Sequence, residues 1–173
     1  MNTKSIIGKY LVVIILGLLI FGIDSIENLS NRITILCVVG ICLFKSFYFI
    51  HFLFKQIIEA SKRDTLYYRF LVFMAINVAL IILSFSIDYF CLSEIEHNSF
   101  SGVAWHISTA ERFFDFLYFS ILAFTNFGYD QIAPSNIAAK IIISTELLIS
   151  FATIIFILSD FISLKDSLQN RDK

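Results

Sequence analysis

Charge, proline and glycine are all scarce in this chain. Of its 173 residues 16% are charged, one is proline and six are glycine. Soluble domains carry roughly a quarter charged residues. A chain so poor in charge does not stay unfolded in water, and one so poor in glycine and proline is neither collagen-like nor low-complexity. Cys37, Cys42 and Cys91 stand at no paired CxxC spacing, which gives no support to a redox dithiol, a thiolate zinc site or a disulfide-stapled secreted module. A net charge of −1 offers no basic field, so nucleic acid is not expected as a partner. Hydrolase elbows, phosphate loops and zinc-helix motifs are missing, so neither enzyme chemistry nor a cofactor is expected.

What is abundant is apolar. Hydrophobic residues make up 58% of the chain, with 20 phenylalanines. Four stretches are long enough to cross about 30 Å of hydrocarbon, which takes roughly 20 helical residues. They are 10–23 (with Ile6 and Ile7 ahead of it), 33–54, 70–90 and 137–161. A backbone in lipid must bond to itself, so each is expected to be a helix and the fold an all-α membrane protein with four transmembrane helices. The first stretch follows Lys4 and Lys9 as a signal peptide would, but ends in Asp24, Ser25 and Glu27 without a small-x-small cleavage site. It is expected to be an uncleaved span.

Basic residues fix the direction. Lys4, Lys9, Lys55, Lys62, Arg63, Arg69, Lys165, Arg171 and Lys173 lie on one side, and Arg32, Arg112 and Lys140 on the other. That split places both termini in the cytoplasm of a multi-pass protein in a plasma or bacterial inner membrane. Residues 1–68 then form an N-terminal two-helix hairpin with a cytoplasmic loop, 69–163 a second unit, and 164–173 a short cytoplasmic tail.

The outer loop before the last span is long, and 113–127 within it is too apolar for a solvated loop and too short to span. A short apolar helix followed by a glycine-bearing turn has the shape of a re-entrant segment. Such a segment survives at membrane depth only when protein or a water-filled cavity shields its non-helical part. One four-span subunit cannot shield it on all sides, so self-association is expected.

Residues 115–134 read DFLYFSILAFTNFGYDQIAP. The segment resembles the pore loop of the potassium-channel superfamily, the two-helix pore-loop ion channel family, whose pattern runs roughly D-A-L-Y-F-S-x-x-T-L-T-T-V-G-Y-G-D-I-x-P. Asp115, Leu117, Tyr118, Phe119, Ser120, Thr125, Gly128, Tyr129, Ile132 and Pro134 match without a gap. The resemblance implies a homotetramer in which 69–163 is the pore domain: outer helix, pore helix, filter loop and inner helix. It implies a selectivity filter at Thr125, Asn126, Phe127, Gly128, Tyr129 and Asp130, whose backbone carbonyls replace the hydration shell of a permeant cation. Monovalent cations are expected to pass, potassium alone or several kinds without selection, with sodium or calcium as further candidates. No metal is expected beyond that ion, and the partners are membrane lipid, further copies of the chain and an unidentified gating partner. The departures from the pattern lie in the filter: asparagine replaces threonine at 126, and Asp130 replaces a glycine and would ring the outer mouth with carboxylates. The competing readings are an interfacial amphipathic helix with a turn, and a non-conducting membrane module that binds a partner through its hairpin.

Polar residues within the spans complete the candidates. Glu146, Ser150 and Thr153 share one helix face. They either line a cavity, or Glu146 belongs to the shell that supports the filter. Lys45 either snorkels to the interface or pairs with Asp88 or Glu146. Asn77, Ser84 and Asp88 form a stripe on the third span, expected to pack against the pore helix rather than conduct. Neither the second nor the third span has the repeated arginines of a voltage sensor.

Overall fold

The computed structural model describes residues 31–61, 67–128 and 131–169. The expected first span at 10–23 lies outside the described residues, as do the loop cations Lys62 and Arg63. Within them the chain forms α1 (Asn31–Ser61), α2 (Tyr67–Ile95), a single 3-10 turn (His97–Ser99), β1 (Phe100–Ser101), α3 (Thr109–Phe124), β2 (Ala133–Pro134) and α4 (Ile137–Gln169). The three long helices each contain an apolar stretch sufficient to cross a membrane: Arg32–His51, Met74–Ile95 and Ile137–Leu158.

Each long helix outruns the apolar stretch that announced it. α2 continues through Ser93 and Glu94 to Ile95, and α4 continues through Lys165 and Asp166 to Gln169. Hydropathy marks the part immersed in lipid, whereas the backbone stays helical until a capping or turn residue stops it. Hydroxyls within the spans are buried at little cost because they bond back to their own helix. Ser46 donates to the Cys42 carbonyl and Ser86 to the Ile82 carbonyl, both at 2.7 Å.

α1 packs on both α2 and α4, while α3 lies in the angle between α2 and α4. Lys45 resolves the choice left open by its sequence. Its ammonium is buried and donates to both carboxylate oxygens of Asp88 at 2.6 Å and to Ser84 at 3.0 Å. Ser84 and Asp88 therefore face α1, not α3.

An aromatic cluster fills the space where α2, α3 and β1 converge. Tyr89 meets Phe119 edge-on with ring centroids 5.2 Å apart, and Phe100 meets Phe116 in the same way at 5.2 Å. Edge-to-face pairs add about 0.5–1.5 kcal/mol each beyond the area they bury. Phe100 is what anchors the outer loop in this cluster.

Candidate functional site

α3 begins four residues before the apolar run that suggested it. Ser108 and Glu111 form a capping box: the Ser108 side chain accepts from the Glu111 N–H, and the Glu111 carboxylate accepts from the Ser108 N–H at 2.8 Å. These bonds hold the Glu111 carboxyl below the usual range, the Ser108 backbone N–H being the main cause. Their stabilisation is present above the ordinary glutamate pKa and is lost as pH falls through the lowered folded value. Ser108→Ala should cost about 1 kcal/mol. Thermal unfolding of the variant should also lose part of the wild type's acid sensitivity.

One turn further on, Arg112 bonds Glu94 of α2 at 2.8 Å and reaches the Ile107 carbonyl at 3.2 Å. The start of α3 thus sits level with the end of α2. From there α3 runs inward. Ser120 reaches the Ile82 carbonyl on α2 at 3.0 Å and Glu146 on α4 at 2.6 Å. At 1.5 Å per residue, those partners lie about 14–20 Å from the ends of their helices near the outer loop. Beyond α3 the chain comes back: β2 pairs with β1, Phe100 opposite Pro134 and Ser101 opposite Ala133. Entry and exit are at one face of the molecule, and the turn at 125–128 lies at depth.

The end of α3 is a left-handed helix stop. Asn126 takes φ +56° and donates its N–H to the Ala123 carbonyl, while the Phe127 N–H reaches the Leu122 carbonyl at 3.1 Å. This is the paired bonding of a Schellman motif, with asparagine in the position glycine usually holds. Gly128 follows at φ +80°. Two left-handed residues thus stand two apart, directly after the negative end of the helix dipole.

α4 holds this turn from behind. Ser150 donates to the Phe124 carbonyl at 2.6 Å, satisfying an orphan acceptor of the helix end, and accepts from the Asn126 side-chain amide at 3.3 Å. Glu146, four residues earlier, is fully buried and accepts from the Tyr89 hydroxyl as well as bonding Ser120. One carboxyl therefore joins α2, α3 and α4. Thr153 is also fully buried and bonds back to the Ile149 carbonyl at 2.7 Å. Within one protomer this stripe faces protein.

Of the filter residues expected from the sequence, Thr125, Asn126, Phe127 and Gly128 are together in the exposed turn, with Phe127 85% exposed. Tyr129 and Asp130 lie outside the described residues. A cleft of about 530 Å³ separates α3 from the returning segment, with Asp115, Tyr118 and Leu122 on one wall and Phe127, Gly128 and Gln131 on the other. Tyr89, Ser108 and Asn136 went unnoticed in the sequence. Ser108 was legible as S-x-x-E, and Asn136 as an N-cap before an apolar run: its Oδ1 accepts from the Ala139 N–H at 2.8 Å. Tyr89 had no such signal.

A family model described as an ion channel matches residues 72–165. No match was found among curated proteins or among solved structures.

Proposed function

We propose, from the premise that this chain belongs to the two-transmembrane-helix ion channel family of the potassium-channel superfamily pore domain, that it is the subunit of a homotetrameric cation channel. The observation that carries the proposal is the turn after α3. It lies at depth between two helices able to cross a membrane, it follows a carbonyl helix end, and it takes positive φ at Asn126 and at Gly128. A single protomer leaves Phe127 bare there, which the bilayer core tolerates only if other copies or water cover the adjoining backbone. Four copies around one axis meet that requirement and aim four sets of carbonyls from 125–130 at a dehydrated cation.

In this reading α2 is the outer helix, α3 the pore helix and α4 the inner helix. Thr125 and Asn126 form the inner end of the filter, Phe127, Gly128 and Tyr129 its carbonyl column, and Asp130 its outer ring. Ser150 fixes the filter's inner end to the inner helix. Both termini face the cytoplasm, and monovalent cations pass, potassium or several kinds.

The test is the reversal potential of purified protein in a planar bilayer with potassium on one side and sodium on the other. Reversal near the potassium equilibrium potential means a potassium-selective filter; reversal near zero means that Asn126 and Asp130 make a non-selective one. Absence of current under any driving force favours the non-conducting membrane module. Gly128→Ala provides the matching variant. Within one protomer an added Cβ there has nothing within 4 Å, so inside the subunit the substitution acts through φ +80°. A left-handed non-glycine residue costs roughly 1–2 kcal/mol, and four subunits would each bear it. Tetramers should still form, with conductance or selectivity changed.

A further inference from the structure

The segment that leaves the turn faces α3 across the cleft of about 530 Å³, and its Ile132 is buried in the apolar core that includes Phe116 and Phe119. Its backbone is held from the other side. Ser99 accepts at its carbonyl from the Ser135 N–H at 2.8 Å, and its hydroxyl accepts from the Asn136 amide at 3.0 Å. Ser101 pairs with Ala133 in the two-stranded ladder. At Gly102, φ is +81°, and a Cβ would stand 1.7 Å from the Gln131 carbonyl oxygen and 2.7 Å from its carbon. Only glycine meets both demands, the left-handed backbone and the close approach. One residue before the ladder's second pair, Phe100 is buried among Tyr89, Phe116 and Phe119. The aromatic core therefore positions 100–102, and 100–102 positions 131–133.

We propose that the outer loop is a brace for the outer half of the filter, and that Gly102 is a positioning residue for ion selection through its contact with the Gln131 carbonyl. Gly102 touches no ion. It fixes where the chain re-emerges directly after Asp130, and so constrains how far the carbonyl column can widen. This rests on the pore reading given above for its functional consequence, but not for the contact itself.

Two readouts keep the two ideas apart. The first is amide hydrogen exchange at 131–133 and 135 in the purified protein, which needs no current. Gly102→Ala should speed exchange there by about tenfold or more, since the left-handed penalty alone is of that size. Gly102→Asn, which tolerates positive φ but keeps a Cβ, should do so too. Trp105→Ala, elsewhere in the loop, should not. In case the glycine variants fail to fold, the pair Ser101→Cys with Ala133→Cys places two thiols on directly opposed residues. Oxidising it should slow the same exchange. Unchanged exchange on oxidation, or in folded Gly102 variants, overturns the brace.

The second readout is the reversal potential under the two-cation gradient. Where the wild type discriminates the two cations, Gly102→Ala should move it toward zero in protein that still assembles, while the oxidised pair keeps the wild-type value. A wild type that reverses at zero selects nothing for Gly102 to preserve and overturns the positioning role. A folded, conducting Gly102→Ala protein with wild-type reversal overturns the positioning role. A silent wild type sinks the pore reading, and exchange alone then decides whether the loop braces the segment.

Discussion

Lys45→Met should destabilise the protein by about 3–5 kcal/mol, because it leaves the Asp88 carboxylate buried with no countercharge. Both members of the pair are almost wholly buried, with 3% and 1% side-chain exposure, so solvent cannot take over. Ser84, at 3.0 Å from the ammonium, could offer one hydroxyl to the stranded carboxylate, which is far less than an ion. Lys45→Met combined with Asp88→Leu should recover most of the loss, since two apolar residues of similar volume remove both charges together. Unfolding of the four proteins of this double-mutant cycle in one detergent measures the coupling directly. Equal stabilities throughout would mean that water reaches the pair. The pair also has a topological meaning. Lys45 belongs to α1, outside the matched residues 72–165, and Asp88 to α2, inside them. Movement of α1 is thus tied to α2 by a bond that is costly to break.

Glu146→Ala should cost roughly 3 kcal/mol, by stranding the Tyr89 hydroxyl in the aromatic cluster and leaving a cavity at the junction of three helices. Glu146→Gln should be far milder, and the reason is a count of protons. Ser120 has one hydroxyl proton and two acceptors within reach, Glu146 and the Ile82 carbonyl. An amide at 146 can donate to Ser120, freeing the Ser120 proton for Ile82, while its oxygen still accepts from Tyr89. The same variant separates the two roles left open by the sequence. If Glu146 supports the pore helix from behind, Glu146→Gln leaves unitary conductance unchanged and Glu146→Ala disturbs assembly. A carboxylate lining the conduction path would instead give Glu146→Gln a lower conductance at normal assembly.

Much of this architecture was written in single residues, and the pattern of what was legible has a physical basis. The three spans within the described residues are readable because lipid demands long apolar helices, and the apolar run from Ile137 marks the start of α4. The start of α3 was readable in principle from Ser108 and Glu111, but an apolar run draws the eye to Phe113. Asn126 was noticed only as a substitution in a motif. Its structural meaning, a left-handed helix stop, follows from the backbone it adopts rather than from the threonine it replaces. Lys45 and Glu146 were visible as anomalies, since charge at membrane depth always is. For Lys45 the sequence narrows the partner to Asp88 or Glu146 without choosing, and for Glu146 it offers no sign of Tyr89 or Ser120. The choice depends on how α1, α2 and α4 rotate about their axes, and a uniformly apolar surface leaves that rotation unmarked.

The outer loop carries one further consequence. Trp105 is the one tryptophan in the sequence. Its ring stacks on His97 at 4.1 Å and lies under the Arg112 guanidinium at 5.4 Å, and Arg112 is itself bonded to Glu94. Indole emission depends on the charges and rings beside it, and here all of them belong to the loop and the helix ends it joins. The unlabelled protein therefore carries its own optical gauge. Fluorescence at tryptophan wavelengths reports the state of that loop, in detergent or in vesicles, without a dye and without a second site to confuse the signal.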